Sequence, residues 1–212
     1  MGTIKNIVFD LGVVILNVDY SRTLDAFTHL GLENAEQVYS KSNQIPYFDQ
    51  LEKGEIGPAA FCEALRAYLP SEVIDESIVD AWNAMLGELP VERLGLLGRV
   101  KQHYRMFLLS NTNELHIASY LKTLKQTHGL ENLSHIFEKE YYSHKVGMRK
   151  PDKEIFDFVL DENGIDASET VFIDDSIQHV RGAEKAGITA IHMDDGRTLL
   201  DLFEADGRLR KS

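Results

Sequence analysis

The sequence predicts an α/β fold, in which a parallel sheet carries helices on both faces and a small helical subdomain follows the first strand. Short apolar runs rich in Val and Ile alternate with segments of helical periodicity, the pattern of strand–helix–strand units. The runs are almost continuously apolar, as expected of strands that are buried on both faces. Three of them end directly in polar residues, at the sheet edge where ligands bind in parallel α/β sheets.

The composition fits a globular chain of 212 residues with 43% hydrophobic and 26% charged residues, because such a chain can bury a core. The net charge of −12, without a basic cluster, argues against binding to nucleic-acid polymers. The single cysteine, Cys62, excludes an intrachain disulfide. No stretch approaches the roughly 18 apolar residues of a membrane helix, and no signal peptide is recognisable. We therefore expect a cytoplasmic protein without a membrane partner.

The first strand is predicted between Ile4 and Leu11, and its apolar run resumes over 13–16 as further strand. From residue 18 to 88 the periodicity is helical, and Gly and Pro residues divide this segment into about four short helices. We interpret 18–88 as a helical subdomain and 1–17 with 89–212 as the core domain. The alternative is that these helices simply cover one face of the sheet.

The rest of the chain alternates helices and strands. The predicted strands are 106–109, 171–173, 188–193 and, more weakly, 136–142. Pro90 and Pro151 each begin a helix, because proline lacks the N–H that the first helical position does not need. Gly187 ends the helix before the last strand, and 199–203 form a short helix or a packed tail.

The residues just beyond three strands are expected to converge. They are Asp10 with Gly12, Ser110 with Asn111, and Asp174 with Asp175. Asp10 alone is equally explained as a helix cap or a loop partner. Three carboxylates at one edge, however, predict a site for a hard cation, and Mg²⁺ suits this ligand set best.

Two further residues are candidates for the same site. Lys150 precedes Pro151, which restricts its backbone to an extended conformation and orients the loop. Arg149 is an alternative cation, and the spacing does not separate the two. Ser110 as a nucleophile is a weaker hypothesis, because the G-x-S-x-G elbow is missing around it.

Four segments, in order along the chain, resemble the motifs of the haloacid dehalogenase-like (HAD) hydrolase superfamily. They are FDLGVV at 9–14, LSNT at 109–112, GMRKPD at 147–152 and FIDDS at 172–176. The helical segment resembles the small helical (C1-type) cap of that family. The sequence YFDQLEKGEI at 47–56 and the first motif resemble a D-L-G-[GN]-V subgroup that includes bacterial glucose-1-phosphate phosphatases. The implied fold is a Rossmann-like parallel sheet with helices on both faces and an α-helical cap.

This resemblance implies a Mg²⁺-dependent phosphatase that acts on a small phosphorylated metabolite, with sugar phosphates favoured. Asp10 would be the nucleophile and form an aspartyl-phosphate. Lys150 would neutralise charge, while Ser110 and the amide of Asn111 would bind the phosphoryl group. The implied metal ligands are Asp10, the Gly12 carbonyl, Asp174 and, directly or through water, Asp175. Candidate substrate contacts from the cap are Arg22, Tyr47 and Glu55.

One position departs from the family pattern. Gly12 stands where most family phosphatases carry a second Asp that transfers protons, a role that typically contributes about 10²–10⁴-fold. Asn17, Asp19 or a cap carboxylate such as Glu55 would have to replace it, unless the substrate has a good leaving group. The alternatives are a weak or inactive HAD-fold binding or regulatory protein and, with less support, a 2-haloacid dehalogenase. The sequence leaves the oligomeric state open.

Overall fold

The computed structural model describes residues 3–33, 35, 46–194 and 196–210. Its centre is a five-stranded parallel sheet in the order β3-β2-β1-β4-β5. The strands are β1 (Asn6–Phe9), β2 (Arg105–Ser110), β3 (Lys139–Tyr142), β4 (Thr170–Asp174) and β5 (Thr189–His192). The last residue of β1, Phe9, pairs with Leu108 on one side and Ile173 on the other. This register places the carboxyl ends of β1, β2 and β4 side by side.

Helices follow between β1 and β2. They are α1 (Tyr20–His29), α2 (Pro46–Glu52), α3 (Pro58–Arg66) and α4 (Asp75–Asn83). They bury a hydrophobic cluster of their own, in which the rings of Phe48 and Phe61 lie 4.9 and 5.7 Å from that of Trp82. Positions 34 and 36–45 of this predicted helical segment lie outside the described residues. This separate cluster supports the division of the chain into a helical subdomain at 18–88 and a core domain. The division itself stays a prediction.

The remaining helices alternate with the strands. They are α5 (Val91–Val100), α6 (Glu114–His128), α7 (Ser143–Val146), α8 (Lys153–Asn163), α9 (Ile177–Lys185) and α10 (Leu199–Leu202). Successive residues of a strand face opposite sides of the sheet. Accordingly, Ile7 and Phe9 belong to one hydrophobic cluster and Val8 to another. Both faces are therefore covered, and the predicted fold class is confirmed. Among the described helices, none has the length and apolar character that crossing a membrane requires; a cytoplasmic location stays a prediction.

The prediction of a strand at 13–16 is wrong, because this segment is a tight turn. Val13 has a φ of +60°, and the N–H of Val14 donates to the Gly12 carbonyl at 2.5 Å. The side chains of Val14, Ile15 and Leu16 are nevertheless buried. Continuous burial explains the apolar run, since such a run by itself does not distinguish a strand from another buried segment.

Other details also differ from the predictions. Neither proline begins its helix: Pro90 is the N-cap of α5, which begins at Val91, and Asp152 is the N-cap of α8, which begins at Lys153. The long helix α6 was not singled out in the sequence, because its apolar face is interrupted by polar residues. The capping residues at its two ends were the sequence signal from which this helix could have been predicted. The Asn113 side chain accepts a hydrogen bond from the N–H of His116, and Gly129 ends the helix in the left-handed conformation.

The turn after α2 packs closely on the core. Gly54 has a φ of +70°, and a Cβ at this position would lie 2.3 Å from the carbonyl oxygen of His144 in α7. Glycine is required here for two reasons, the left-handed backbone and the absence of space for a side chain. This contact holds the end of α2 against the loop that follows β3.

We expect Gly54→Ala to destabilise the protein by about 2–4 kcal/mol, the sum of left-handed strain and overpacking. Gly129→Ala is the matched control. Its φ is +68°, but no atom lies within 4 Å of the added Cβ. The free energy of unfolding of the control should therefore fall only by the contribution of left-handed backbone strain, about 1–2 kcal/mol. Urea unfolding measures both variants, and equal losses would contradict the close contact between Gly54 and His144.

Candidate active site

The polar strand ends line a cavity of about 470 Å³ between the sheet edge and the helical segment. Asp10, Gly12, Ser110, Asn111 and Asp175 contribute to its wall from the sheet side. From the helical segment it is lined by Tyr20, Glu52, Trp82, Met85 and Leu86. The convergence expected from the strand-end rule is therefore present in the fold.

Lys150 is the buried centre of this site. Its ammonium is fully buried and donates to Asp10 Oδ1 at 2.6 Å, to Asp174 Oδ2 at 2.6 Å and to the Leu109 carbonyl at 2.9 Å. Three acceptors match the three N–H donors of an ammonium group. Burial would lower the pKa of Lys150, but the two carboxylates outweigh this effect and raise it. The geometry separates Lys150 from Arg149, which the sequence could not do.

The carboxylates of Asp10, Asp174 and Asp175 offer oxygens that all lie within 4.8 Å of one another. Burial raises the pKa of Asp10 to about 7 against the opposing effect of Lys150. Burial acts on Asp174 in the same direction, but Lys150 and His179 outweigh it and hold its pKa below the usual range. Three carboxylates and one ammonium leave a negative charge of two when all are ionised. Hard oxygen donors with this charge fit a divalent cation such as Mg²⁺.

The Gly12 carbonyl, the fourth predicted metal ligand, already has one hydrogen-bond donor. It accepts the hydrogen bond from Val14, and a carbonyl oxygen has a second lone pair for another partner. A Cβ at position 12 would lie 3.8 Å from Asp10 Oδ2. Glycine therefore leaves the space beside this carboxylate oxygen open.

Ser110 and Asn111 serve the site in different ways. Ser110 is buried at the end of β2 and lines the cavity. The side chain of Asn111 donates to the Lys150 carbonyl at 2.9 Å and accepts from the Lys150 N–H at 2.9 Å. It thus holds the backbone of Lys150, so the expected substrate contact of Asn111 would have to use its main-chain N–H.

Three histidines that line the cavity, His116, His179 and His192, were missed in the sequence. His179 Nδ1 lies 3.0 Å from both oxygens of Asp174, and His192 Nε2 lies 3.0 Å from the Asp175 carbonyl oxygen. His179 stands five residues after Asp174, in the first turn of α9, which was the only available signal. Such a partner orients a carboxylate.

The three cap candidates do not reach the cavity. Tyr47 and Glu55 are exposed, and Arg22 lines a separate cavity of about 420 Å³. None of the three lines the cavity, and their contact with substrate stays a prediction. Within α2, the rotation of the helix turns Phe48 and Leu51 into the helical core and Glu52 toward the cavity.

Glu52 contacts Arg149, the residue before Lys150, and so packs against this loop. Arg149 Nη2 lies 3.0 Å from Glu52 Oε2, an ion pair without hydrogen-bond geometry, and the same guanidinium pairs with Asp49. Both carboxylates belong to α2, so this loop connects the core to the helical segment. Burial raises the pKa of Glu52 to about 7, with Lys150 opposing.

Comparison with known proteins identifies the family. The profile of haloacid dehalogenase-like hydrolases matches residues 101–193. A D-ribitol-5-phosphate phosphatase of Bacteroides thetaiotaomicron is 31% identical over 193 residues, which cover 91% of this chain and 93% of that protein. The chain belongs to the haloacid dehalogenase-like (HAD) hydrolases.

Solved structures agree with this assignment. A variant HAD family enzyme of B. thetaiotaomicron, in complex with magnesium and inorganic phosphate, superposes with a TM-score of 0.89 at 35% identity, covering 95% of this chain and 99% of that one. A HAD-like hydrolase of Porphyromonas gingivalis gives a TM-score of 0.83 at 28% identity, with 94% and 96% covered. The predicted family is confirmed for this HAD hydrolase, whereas the D-L-G-[GN]-V subgroup stays a prediction.

Proposed function

We propose that this HAD hydrolase is a Mg²⁺-dependent phosphatase of small sugar or sugar-alcohol phosphates, acting through an aspartyl-phosphate on Asp10. The observation that carries the proposal is the placement of the fully buried Lys150 between Asp174 and Asp10, the latter of which lines the cavity. The B. thetaiotaomicron relative named a D-ribitol-5-phosphate phosphatase supports the substrate class. The related structure with magnesium and inorganic phosphate supports the cation.

Asp10 has one carboxylate oxygen available for attack. Lys150 bonds to Oδ1, and Oδ2 faces the space that Gly12 leaves open. In the proposed first step Oδ2 forms a bond to phosphorus and the bond to the leaving oxygen breaks. Lys150 offsets the negative charge that would otherwise repel a phosphate dianion from Asp10.

The residues that would hold Mg²⁺ are Asp10, Asp174, Asp175 and the carbonyl of Gly12. The bound cation would neutralise these carboxylates and polarise the phosphoryl oxygens. His179 would keep the Asp174 carboxylate in orientation, as its 3.0 Å contacts suggest. The Ser110 hydroxyl and the Asn111 main-chain N–H would donate to the transferring phosphoryl group.

The test is phosphate release from a panel of substrates with Mg²⁺ and with EDTA. The panel contains ribitol 5-phosphate, glucose 1-phosphate, glucose 6-phosphate, phosphoglycolate, FMN and pyridoxal phosphate. We expect turnover that requires Mg²⁺ and is highest for the sugar and sugar-alcohol phosphates. Turnover in EDTA would contradict the cation site, and a folded protein without turnover on the whole panel would contradict the phosphatase proposal. A 2-chloropropionate arm tests the dehalogenase alternative, for which we expect no chloride release.

A further inference from the structure

We propose that Glu52 is the proton-transfer residue that replaces the side chain absent at Gly12. It would protonate the leaving oxygen when the aspartyl-phosphate forms and accept a proton from water when that intermediate is hydrolysed. This inference rests on the proposed phosphatase function. It assigns a catalytic role to a residue of α2 that was not among the candidate site residues named from the sequence.

The cavity narrows the choice to Glu52. Among the described residues that line it, three carry carboxylates: Asp10, Glu52 and Asp175. Asp10 is the proposed nucleophile, and Asp175 belongs to the acidic cluster at the sheet edge. Glu52 alone comes from the opposite, helical wall, where a group must lie to reach the leaving side of the substrate.

The candidates considered from the sequence are excluded by their positions. Asp19 is the N-cap of α1, where its carboxylate accepts from the N–H of Ser21 at 3.0 Å and from its hydroxyl at 2.6 Å. These bonds lower the pKa of Asp19, which makes it a poor acid. Asn17 lines the separate cavity, and Glu55 is exposed.

Contacts with the core hold the end of α2, and with it Glu52, in place. Asp49, one turn earlier on α2, forms an ion pair with Arg149, and Gly54 lies against the carbonyl of His144. These two contacts, one before and one after Glu52 in the sequence, therefore fix the end of α2 to the core. Its side chain is only 15% exposed, so water is largely excluded around the carboxyl group.

The charges around Glu52 suit a group that both donates and accepts a proton. Arg149 and Lys150 face it from the core, and Asp49 and Lys53 flank it on the cap side. Burial is the largest influence and raises the pKa of Glu52 to about 7, so both protonation states are populated near neutral pH. Its Oε2 makes no hydrogen bond within the described residues, although Arg149 is 3.0 Å away.

The histidines of the cavity are less suited to the role. Burial lowers the pKa of His116 to about 4, so this ring is neutral at neutral pH and is not available as an imidazolium acid. Its Nε2 lies 3.3 Å from the Trp82 carbonyl oxygen. His179 contacts Asp174 and His192 contacts the Asp175 carbonyl, which commits both to the acidic cluster.

The proposed steps balance. In the first, Asp10 Oδ2 bonds to phosphorus, the bond from phosphorus to the leaving oxygen breaks, and the Glu52 proton moves to that oxygen to release an alcohol. In the second, water attacks phosphorus, the Glu52 carboxylate takes a proton from the water, and the bond to Asp10 breaks. Inorganic phosphate leaves, and Asp10 and the protonated Glu52 are regenerated.

The experiment compares two leaving groups in Glu52→Gln. A sugar-alcohol phosphate such as ribitol 5-phosphate releases a poor leaving group that needs a proton, whereas p-nitrophenyl phosphate releases one that does not. We expect kcat/KM for the sugar-alcohol phosphate to fall about 10²–10³-fold and that for the aryl phosphate to change less than about threefold. Because hydrolysis of the intermediate also slows, the aryl substrate should show a burst of nitrophenol before the steady state.

The pH profile is the second measurement. In the wild-type protein kcat/KM for the sugar-alcohol phosphate should fall as Glu52 loses its proton with rising pH, and this limb should be absent from Glu52→Gln. Glu63→Gln is the matched control, because Glu63 lies on α3 of the same segment with an exposed side chain. This control should keep both activities and the burst-free time course. Thermal unfolding verifies that all three proteins are folded.

Three results would overturn the inference. Equal losses for both substrates, or a rise in KM alone, would make Glu52 a packing or substrate-binding residue. Unchanged kcat/KM for the sugar-alcohol phosphate would remove it from the reaction. Wild-type protein and Glu63→Gln without turnover on either substrate would overturn the phosphatase proposal itself, which is a different pattern from a defect confined to Glu52→Gln.

Discussion

Asp10→Asn is expected to abolish phosphate release, with a loss of about 10⁴–10⁶-fold in kcat. The amide oxygen of Asn is a weak nucleophile and does not form the aspartyl-phosphate. The fold should remain, because Asn has the same shape and Lys150 keeps its bonds to Asp174 and to the Leu109 carbonyl. Phosphate release from the preferred substrate of the panel, at saturating Mg²⁺, measures the effect.

The control for this substitution is Asp161→Asn, which changes an exposed Asp in the last turn of α8; the carbonyl of Asn163 in that turn accepts from Arg105 at the start of β2, opposite the end that carries Ser110. It should retain full activity. Beryllofluoride, which mimics a phosphoryl group on a carboxylate, provides a readout without turnover. It should raise the unfolding temperature of the wild type and the control but not that of Asp10→Asn. Residual activity within tenfold of wild type would show that another group attacks phosphorus.

Lys150→Met is expected to lower the free energy of unfolding by about 3–5 kcal/mol in EDTA at pH 8. The substitution removes the ammonium that bonds to Asp10 and Asp174 and leaves two buried carboxylates without their shared cation. Phosphate release should also fall, by about 10²–10³-fold or more, because nothing else at this position offsets the charge of the phosphate. Urea unfolding and the phosphate assay measure the two effects.

The loss of stability in Lys150→Met should depend on pH in a defined direction. Without Lys150 the folded-state pKa of Asp174 rises above its unfolded value, and that of Asp10, which burial already raises to about 7, rises further, so proton binding favours the folded state. The variant should therefore recover stability as the pH falls through these raised pKa values. Adding Asp10→Asn should recover part of it at pH 8.

Lys153→Met is the matched control for the lysine substitution. Lys153 is half-exposed and pairs with Asp157 at 2.5 Å in α8, and such a surface pair contributes about 0–1 kcal/mol. Its loss should be small and nearly independent of pH. An equally small loss in Lys150→Met would mean that the buried ion-pair network does not stabilise the metal-free protein.

Much of the core could be predicted because strand signals and strand-end chemistry are local. The runs at Met106–Leu109 and Val171–Ile173 lie within β2 and β4, and their polar successors meet at one edge. Because parallel strands end at the same edge of the sheet, the residues that follow different strands in the sequence lie close together in the fold. Asp10, Ser110 and Asp174 were therefore found without knowledge of the sheet order.

The errors occurred where a local pattern has more than one structural cause. The apolar run at 13–16 reports burial, and a turn buries these side chains as well as a strand does. Helix α6 was not singled out because its caps, Asn113 and Gly129, mark it more clearly than its hydrophobic pattern. Neither error alters the sheet, since both segments lie outside the strands.

The sequence by itself determined the α/β class, the family resemblance and the acidic edge, because each depends on short runs of residues or on their order. Only the tertiary structure decided which cation is buried, what the Asn111 side chain holds, and which face of α2 meets the cavity. These outcomes depend on residues far apart in the chain, such as Glu52 with Arg149 and Gly54 with His144. The rotation of a short helix is set by the surface that it packs against, and no local pattern of residues 46–55 contains that surface.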